Sequence, residues 1–82
     1  MFLGVDDIRV GMILNYQSES WPDKKSRWII LEQLRGTTHV DGKRFKMFCI
    51  KSSLWNAPDL NKSTDYTFHR ANIHRFTVHS QI

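Results

Sequence analysis

The chain has 82 residues, with twelve Lys/Arg against eight Asp/Glu, a net charge of +4 and a pI near 9.6. That length allows one domain (1–82) with one small core, while 40% hydrophobic and 12% aromatic content excludes a disordered tail. A lone cysteine, Cys49, excludes an internal disulfide framework and fits a reducing compartment, so a cytoplasmic location is expected.

The N-terminal run "MFLGVDDIRVGMIL" carries Asp6, Asp7 and Arg9, which interrupts it as a signal peptide, and no later stretch approaches membrane-span length. "DIRVGMILNY" (7–16) reads as a strand, with a bulge or sharp bend at Gly11. "QSESWPDKKS" (17–26) is a polar loop in which Lys24 and Lys25, with Arg27 after them, form a local basic cluster. "RWIILEQL" (27–34) is a strongly apolar strand that "TTHV" (37–40) continues after Gly36. Asp41-Gly42 signals a two-residue type I′ turn, because both central positions need positive φ. "KRFKMFCIK" (43–51) is then the returning strand of a 30–40/43–51 hairpin. "SSLWNAPDLNKSTD" (52–65) reads as a long loop with a helical turn near Trp55. "YTFHRANIHRFTVH" (66–79) reads as strand, short turn, strand. The expected fold is mostly β.

A two-residue turn at Asp41-Gly42 would set Val40 opposite Lys43, His39 opposite Arg44, Thr37 opposite Lys46 and Arg35 opposite Phe48. Alternation sorts the hairpin into two faces. Leu34, Val40, Phe45, Met47 and Cys49 form a core face, with Glu32 and Lys51 paired at its margin. Arg35, Thr37 and His39 meet Arg44, Lys46 and Phe48 on the other. A bulge at Arg35-Gly36 would instead exchange the faces of residues 28–35 and make Ile29 and Leu31 core.

Cations that follow phosphates beside an exposed ring are what single-stranded nucleic-acid binders use. Lys24, Lys25, Arg27, Arg35, His39, Arg44, Lys46 and Phe48 are therefore the candidate nucleic-acid contacts. RNA is favoured over duplex DNA, since no long basic helix is available for a major groove. The competing reading packs Phe48 and Ile50 beneath the 52–65 loop and leaves the cations merely solvated. Trp28 is expected in the core. Trp21 either folds back over the domain or stands exposed as part of a second contact surface with Lys24, Lys25 and Arg27.

No catalytic signature is present. His69, His74 and His79 recur every five residues, which sends successive β side chains to opposite faces and does not converge on a metal. Cys49 lies in an apolar strand, where a cysteine acts as a small hydrophobe. Glycine-rich phosphate loops, cysteine pairs and serine nucleophile elbows are absent, so no enzyme, metal or cofactor is expected.

The succession "IRVGMIL", "WIILEQL", the Asp-Gly hairpin, "FKMFCI" and "YTFHRANIHRF" resembles the small Src-homology-3-like β-barrel. The resemblance implies five short strands bent into a barrel, or a strongly bent antiparallel sheet with two long loops. It also implies a single helical turn before the last strand. Domains of this kind bind RNA, DNA, peptides or proteins, so the resemblance leaves the ligand open. In size and composition the chain also resembles small bacteriophage host-takeover and anti-defence proteins. That implies a non-catalytic inhibitor of a host defence or toxin system, acting in the host cytoplasm. The alternative function is a protein-binding inhibitor or adaptor that uses apolar loops or a strand edge. Open edges on so small a domain further imply a homodimer.

Overall fold

A computed structural model describes residues 3–21, 23–37, 41–52 and 60–80. Five strands form one antiparallel sheet: β1 (Ile13–Gln17), β2 (Lys25–Leu34), β3 (Lys43–Ser52), β4 (Ser63–Phe68) and β5 (Phe76–Ser80), in the order β4-β3-β2-β1-β5. Single 3-10 turns at Val5–Asp7 and Ile73–Arg75 are the only helical elements among the described residues. The domain is mostly β, a bent antiparallel sheet, as the apolar alternation implies.

The expected first strand, 7–16, begins later than anticipated. A turn closed by the Met12 N–H on the Arg9 carbonyl (3.2 Å) occupies its first half. Gly11, at φ 93°, makes the bend and donates its N–H to Ile30 O at 2.8 Å. A side chain at that φ would be strained, which is why glycine stands there. Ile30 N–H in turn donates to Met12 O (2.9 Å), so this approach segment is tied to β2 before β1 starts.

The hairpin between β2 and β3 departs from the expected register. Leu34 pairs with Arg44, Gln33 with Phe45 and Glu32 with Lys46, so eight residues (35–42) separate the strands where the expected register has two. Gly36 adopts φ 83°, and the Arg44 guanidinium donates to Arg35 O at 3.0 Å, bracing that end of the connection. The Asp-Gly signal reports a local preference, and here the pairing of the long apolar strands prevails over it. Two bulges complete the register. Leu31 is the unpaired extra residue on β2 and Ile50 the one on β3, so the second shift cancels the first. The expected Val40–Lys43 contact and the helical turn near Trp55 lie outside the described residues.

The bulges leave the core face close to the expected one. Phe45, Met47 and Cys49 are buried as the alternation implies, with Trp28 and Ile30 facing them from β2. Leu34 is only half-buried, Ile29 is half-buried, and Leu31 is 43% exposed because its bulge turns it outward. The alternative faces, with Ile29 and Leu31 in the core, are not adopted. Ile8, Met12, Leu14, Phe68 and Phe76 complete the core.

The barrel expectation requires one correction: the sheet does not close, because no ladder joins β4 to β5. Aromatic rings cross the gap between those edges instead. Phe76 of β5 lies 4.9 Å from Phe68 and 5.4 Å from Tyr66 of β4, and its other side meets Tyr16 of β1 at 5.2 Å. Phe68 continues to Phe45 of β3 at 5.8 Å. Tilted and edge-to-face pairs of this kind add to the burial of the rings themselves. Burial pushes the Tyr66 phenol upward, so it stays neutral where the bridge must be apolar.

The β4–β5 connection is built by Asn72, which is buried. Its carboxamide accepts from His69 N–H (3.0 Å) and donates to Thr67 O (2.9 Å), while its own N–H reaches His69 O (3.1 Å). This turn delivers Ile73–Arg75 to the start of β5, where they matter for the site below.

Candidate nucleic-acid interface

The start of β2, the end of β3 and the 3-10 turn before β5 border one open concavity of about 690 Å³. Its cations come from elements far apart in sequence: Lys25 and Arg27 from β2, Lys51 from β3 and Arg75 from the 3-10 turn. Glu19, from the β1–β2 connection, is the sole carboxylate on the lining among the described residues. Four Lys/Arg against one acid make this surface more positive than the chain as a whole.

The register explains the convergence. Asn15 of β1 pairs with Arg27 of β2 and with Thr77 of β5, and Arg27 pairs with Lys51 of β3. These four residues form a polar row across four strands. Arg27 is oriented within it, because its Nε donates to Asn15 Oδ1 at 3.0 Å. That bond fixes one edge of the guanidinium and leaves its Nη groups directed by a held plane, the arrangement a phosphate meets best. Arg75 and His74 enter from the opposite wall. There Glu19 bonds His74 Nε2 through Oε1, and its Oε2 lies 3.7 Å from Arg75 Nη2. The hydrogen bond with His74 is the main cause that holds the Glu19 carboxyl below the ordinary carboxylate range; desolvation opposes it, and the charges of His74 and Arg75 add to the lowering.

Beside the concavity, hydrogen bonds among Ser18, Trp21 and Lys24 shape the β1–β2 connection. Ser18 N–H reaches Lys24 O (3.1 Å), Lys24 N–H reaches Trp21 O (2.8 Å) and Trp21 N–H reaches Ser18 Oγ (3.2 Å). This turn presents Trp21 at 63% exposure, with Lys24 Nζ 5.5 Å from its ring centre. Of the two placements open to Trp21, the exposed one is adopted. Trp28 is buried as expected, its Nε1 donating to Ser26 Oγ at 2.8 Å.

Comparison with protein-family models, curated proteins and solved structures gave no match. The site is therefore read from its own geometry.

That geometry divides the residues singled out in the sequence. Lys25 and Arg27 line the concavity and Lys24 stands in the adjoining turn. Arg35, Arg44 and Lys46 lie toward the opposite end of the β2–β3 pair, roughly 17 to 26 Å from Arg27 and Lys51 at strand spacing. Arg44 is bound there to Asp65 (2.6 Å), and Lys46 stands between Glu32 and Asp65 in the ladder, so these cations have acidic neighbours. Phe48 is not opposite Arg35, as the two-residue turn required. It is half-buried between Ile29 and Ser63, and with Ile13 and Ile29 it makes an apolar row across three strands. The expected pairing of Glu32 with Lys51 is likewise replaced by Glu32 with Lys46 and Lys51 with Arg27. His39 lies outside the described residues.

Sequence reasoning passed over Lys51, His74, Arg75 and Glu19 as parts of one surface. A register with Arg27 opposite Lys51 would have exposed the first of them, but it follows from the long connection between β2 and β3, which the Asp-Gly signal conceals. Cys49 is buried, with its thiol directed at Lys51 O (3.4 Å). Among the described residues no group of three His, Cys, Asp or Glu could hold a metal ion, and no helix is long and apolar enough to cross a membrane.

Proposed function

We propose that the protein is a non-catalytic binder of single-stranded nucleic acid, RNA in preference, and that the strand lies in the concavity bordered by β2, β3 and the 3-10 turn. The observation that carries this reading is the convergence of Lys25, Arg27, Lys51 and Arg75 on one open surface beside an exposed tryptophan. Phosphates neutralised there release condensed counterions, and Trp21 offers a ring on which a splayed base stacks without regard to its identity. A concave sheet end with a presented ring suits unstacked bases better than a duplex groove. Such a binder suits the inhibitor role implied by the resemblance to bacteriophage anti-defence proteins, and pairing of the open β4 or β5 edges would make it a homodimer.

A second reading, a protein-binding inhibitor or adaptor, draws on a different observation. The bulges turn Leu31 and Ile50 outward at 43% and 39% exposure, and Val78 on the β5 edge strand is 41% exposed. Salt separates the two. Fluorescence anisotropy of a labelled uridine oligonucleotide should give a log affinity that falls linearly with log salt, with a slope of about −3 for four single-strand contacts. Binding that is absent at low salt, or indifferent to salt, removes the nucleic-acid reading and leaves the protein-binding one.

A further inference from the structure

Glu19 stands in the concavity as a bound anion would. Its contacts with His74 and Arg75 join the β1–β2 connection to the 3-10 turn across fifty-five residues of chain, so they are a product of the fold and not of local sequence. The three side chains are 55%, 51% and 36% exposed, which leaves all of them within reach of a ligand. Arg75 is incompletely used by this arrangement. Its Nη2 is 3.7 Å from the carboxylate, longer than a good hydrogen bond, while the guanidinium also interacts with the Tyr66 phenol behind it.

We propose that His74 and Arg75 form a phosphate subsite of the concavity, and that Glu19 fills this subsite in the free protein and is displaced when a nucleic-acid strand binds. The inference rests on the nucleic-acid reading of the concavity. A phosphodiester supplies two non-bridging oxygens to a guanidinium fork that one carboxylate oxygen now approaches loosely, and a bidentate pair is the stronger contact. Lys25, Arg27 and Lys51 face the same space and favour the exchange, since each attracts a phosphate along the strand. The Glu19 pairs are solvent-exposed, a setting in which ion pairs are weak and readily exchanged. Glu19 thus lowers affinity for weakly held anions and yields to a polyanion that engages several cations at once.

The test is Glu19→Gln, with Glu32→Gln as a charge-matched control toward the far end of β2. Each variant is checked for folding by circular dichroism and titrated with the same uridine oligonucleotide across a salt series. Glu19→Gln should tighten binding about fourfold near 0.15 M salt with the salt slope nearly unchanged, because the strand meets Arg75 in parent and variant alike and only the competing carboxylate is gone. Glu32→Gln should leave the affinity nearly unchanged, and adding Arg75→Gln to Glu19→Gln should abolish the gain and flatten the slope by about 0.7. Equal tightening by both single variants would make the effect one of net charge and overturn the subsite. So would a Glu19→Gln variant indistinguishable from the parent; if Arg27 and Lys51 were still required, the concavity reading would survive that result. Failure of every variant to bind the oligonucleotide would overturn both.

Discussion

Replacing Phe68 by alanine is expected to destabilise the protein by about 3–5 kcal/mol, which is most of the stability a domain of this size has. Phe68 is fully buried and is the ring through which the two sheet edges meet, touching Phe45, Tyr66 and Phe76 at 5.8, 5.0 and 4.9 Å. No backbone ladder joins β4 to β5, so nothing else described between these strands replaces what the rings supply. Phe48→Ala should cost less, because Phe48 is half-buried in the Ile13–Ile29–Phe48 row on the other face. Urea denaturation checks both: Phe68→Ala should lower the midpoint sharply, and Phe68→Leu should recover much of it. A Phe68→Ala midpoint equal to that of the parent would mean that the aromatic bridge does not hold the edges together.

The second large effect is on binding. The Arg27→Ala, Lys51→Ala double variant should weaken RNA binding roughly tenfold near 0.15 M salt and flatten the salt slope by about 1.4, two single-strand contacts. The Arg44→Ala, Lys46→Ala double variant removes the same charge but should weaken binding much less. Arg44 already pairs with Asp65, and Lys46 lies between Glu32 and Asp65, so their loss takes away cations whose field is largely compensated. Losing the exposed Arg44–Asp65 pair should cost about 0–1 kcal/mol of stability, and losing the Arg27 bond to Asn15 about 1 kcal/mol. Urea midpoints measured beside the titrations keep folding and binding apart. Anisotropy titrations of the two variants side by side check this. Equal losses would make the whole basic surface interchangeable and remove the concavity from its central place.

Much of the architecture was legible because it depends on side-chain alternation. Phe45, Met47 and Cys49 mark a buried face whatever the exact pairing, and the apolar run through Trp28 and Ile30 must face it. The sharp bend at Gly11 was readable for a similar reason, since a glycine inside an apolar strand flags a backbone conformation that other residues avoid. The register was not legible. Asp41-Gly42 has the composition of a tight turn, yet the connection spans 35–42, with a left-handed residue at Gly36. Bulges at Leu31 and Ile50, either of which would read as an ordinary strand position, displace the pairing by one more residue between them and cancel beyond, so the long connection sets the main shift. That shift moved Phe48 away from Arg35 and brought Lys51 to Arg27. The concavity was half visible, through Lys24, Lys25 and Arg27. Its other wall, His74 and Arg75, reaches the site only through the Asn72 turn and the bend that brings β5 beside β1.

In the proposed complex the strand lies where Lys25, Arg27, Lys51 and Arg75 converge. The most direct test of this placement is a two-dimensional NMR titration of the isotopically labelled protein with a uridine oligonucleotide. Shifts should concentrate on the backbone amides of residues 15–19, 25–27, 51 and 74–77, and on the Trp21 indole N–H. Shifts concentrated instead on Arg35, Arg44, Lys46 and Thr67, with residues 25–27 and 74–77 unmoved, would contradict it.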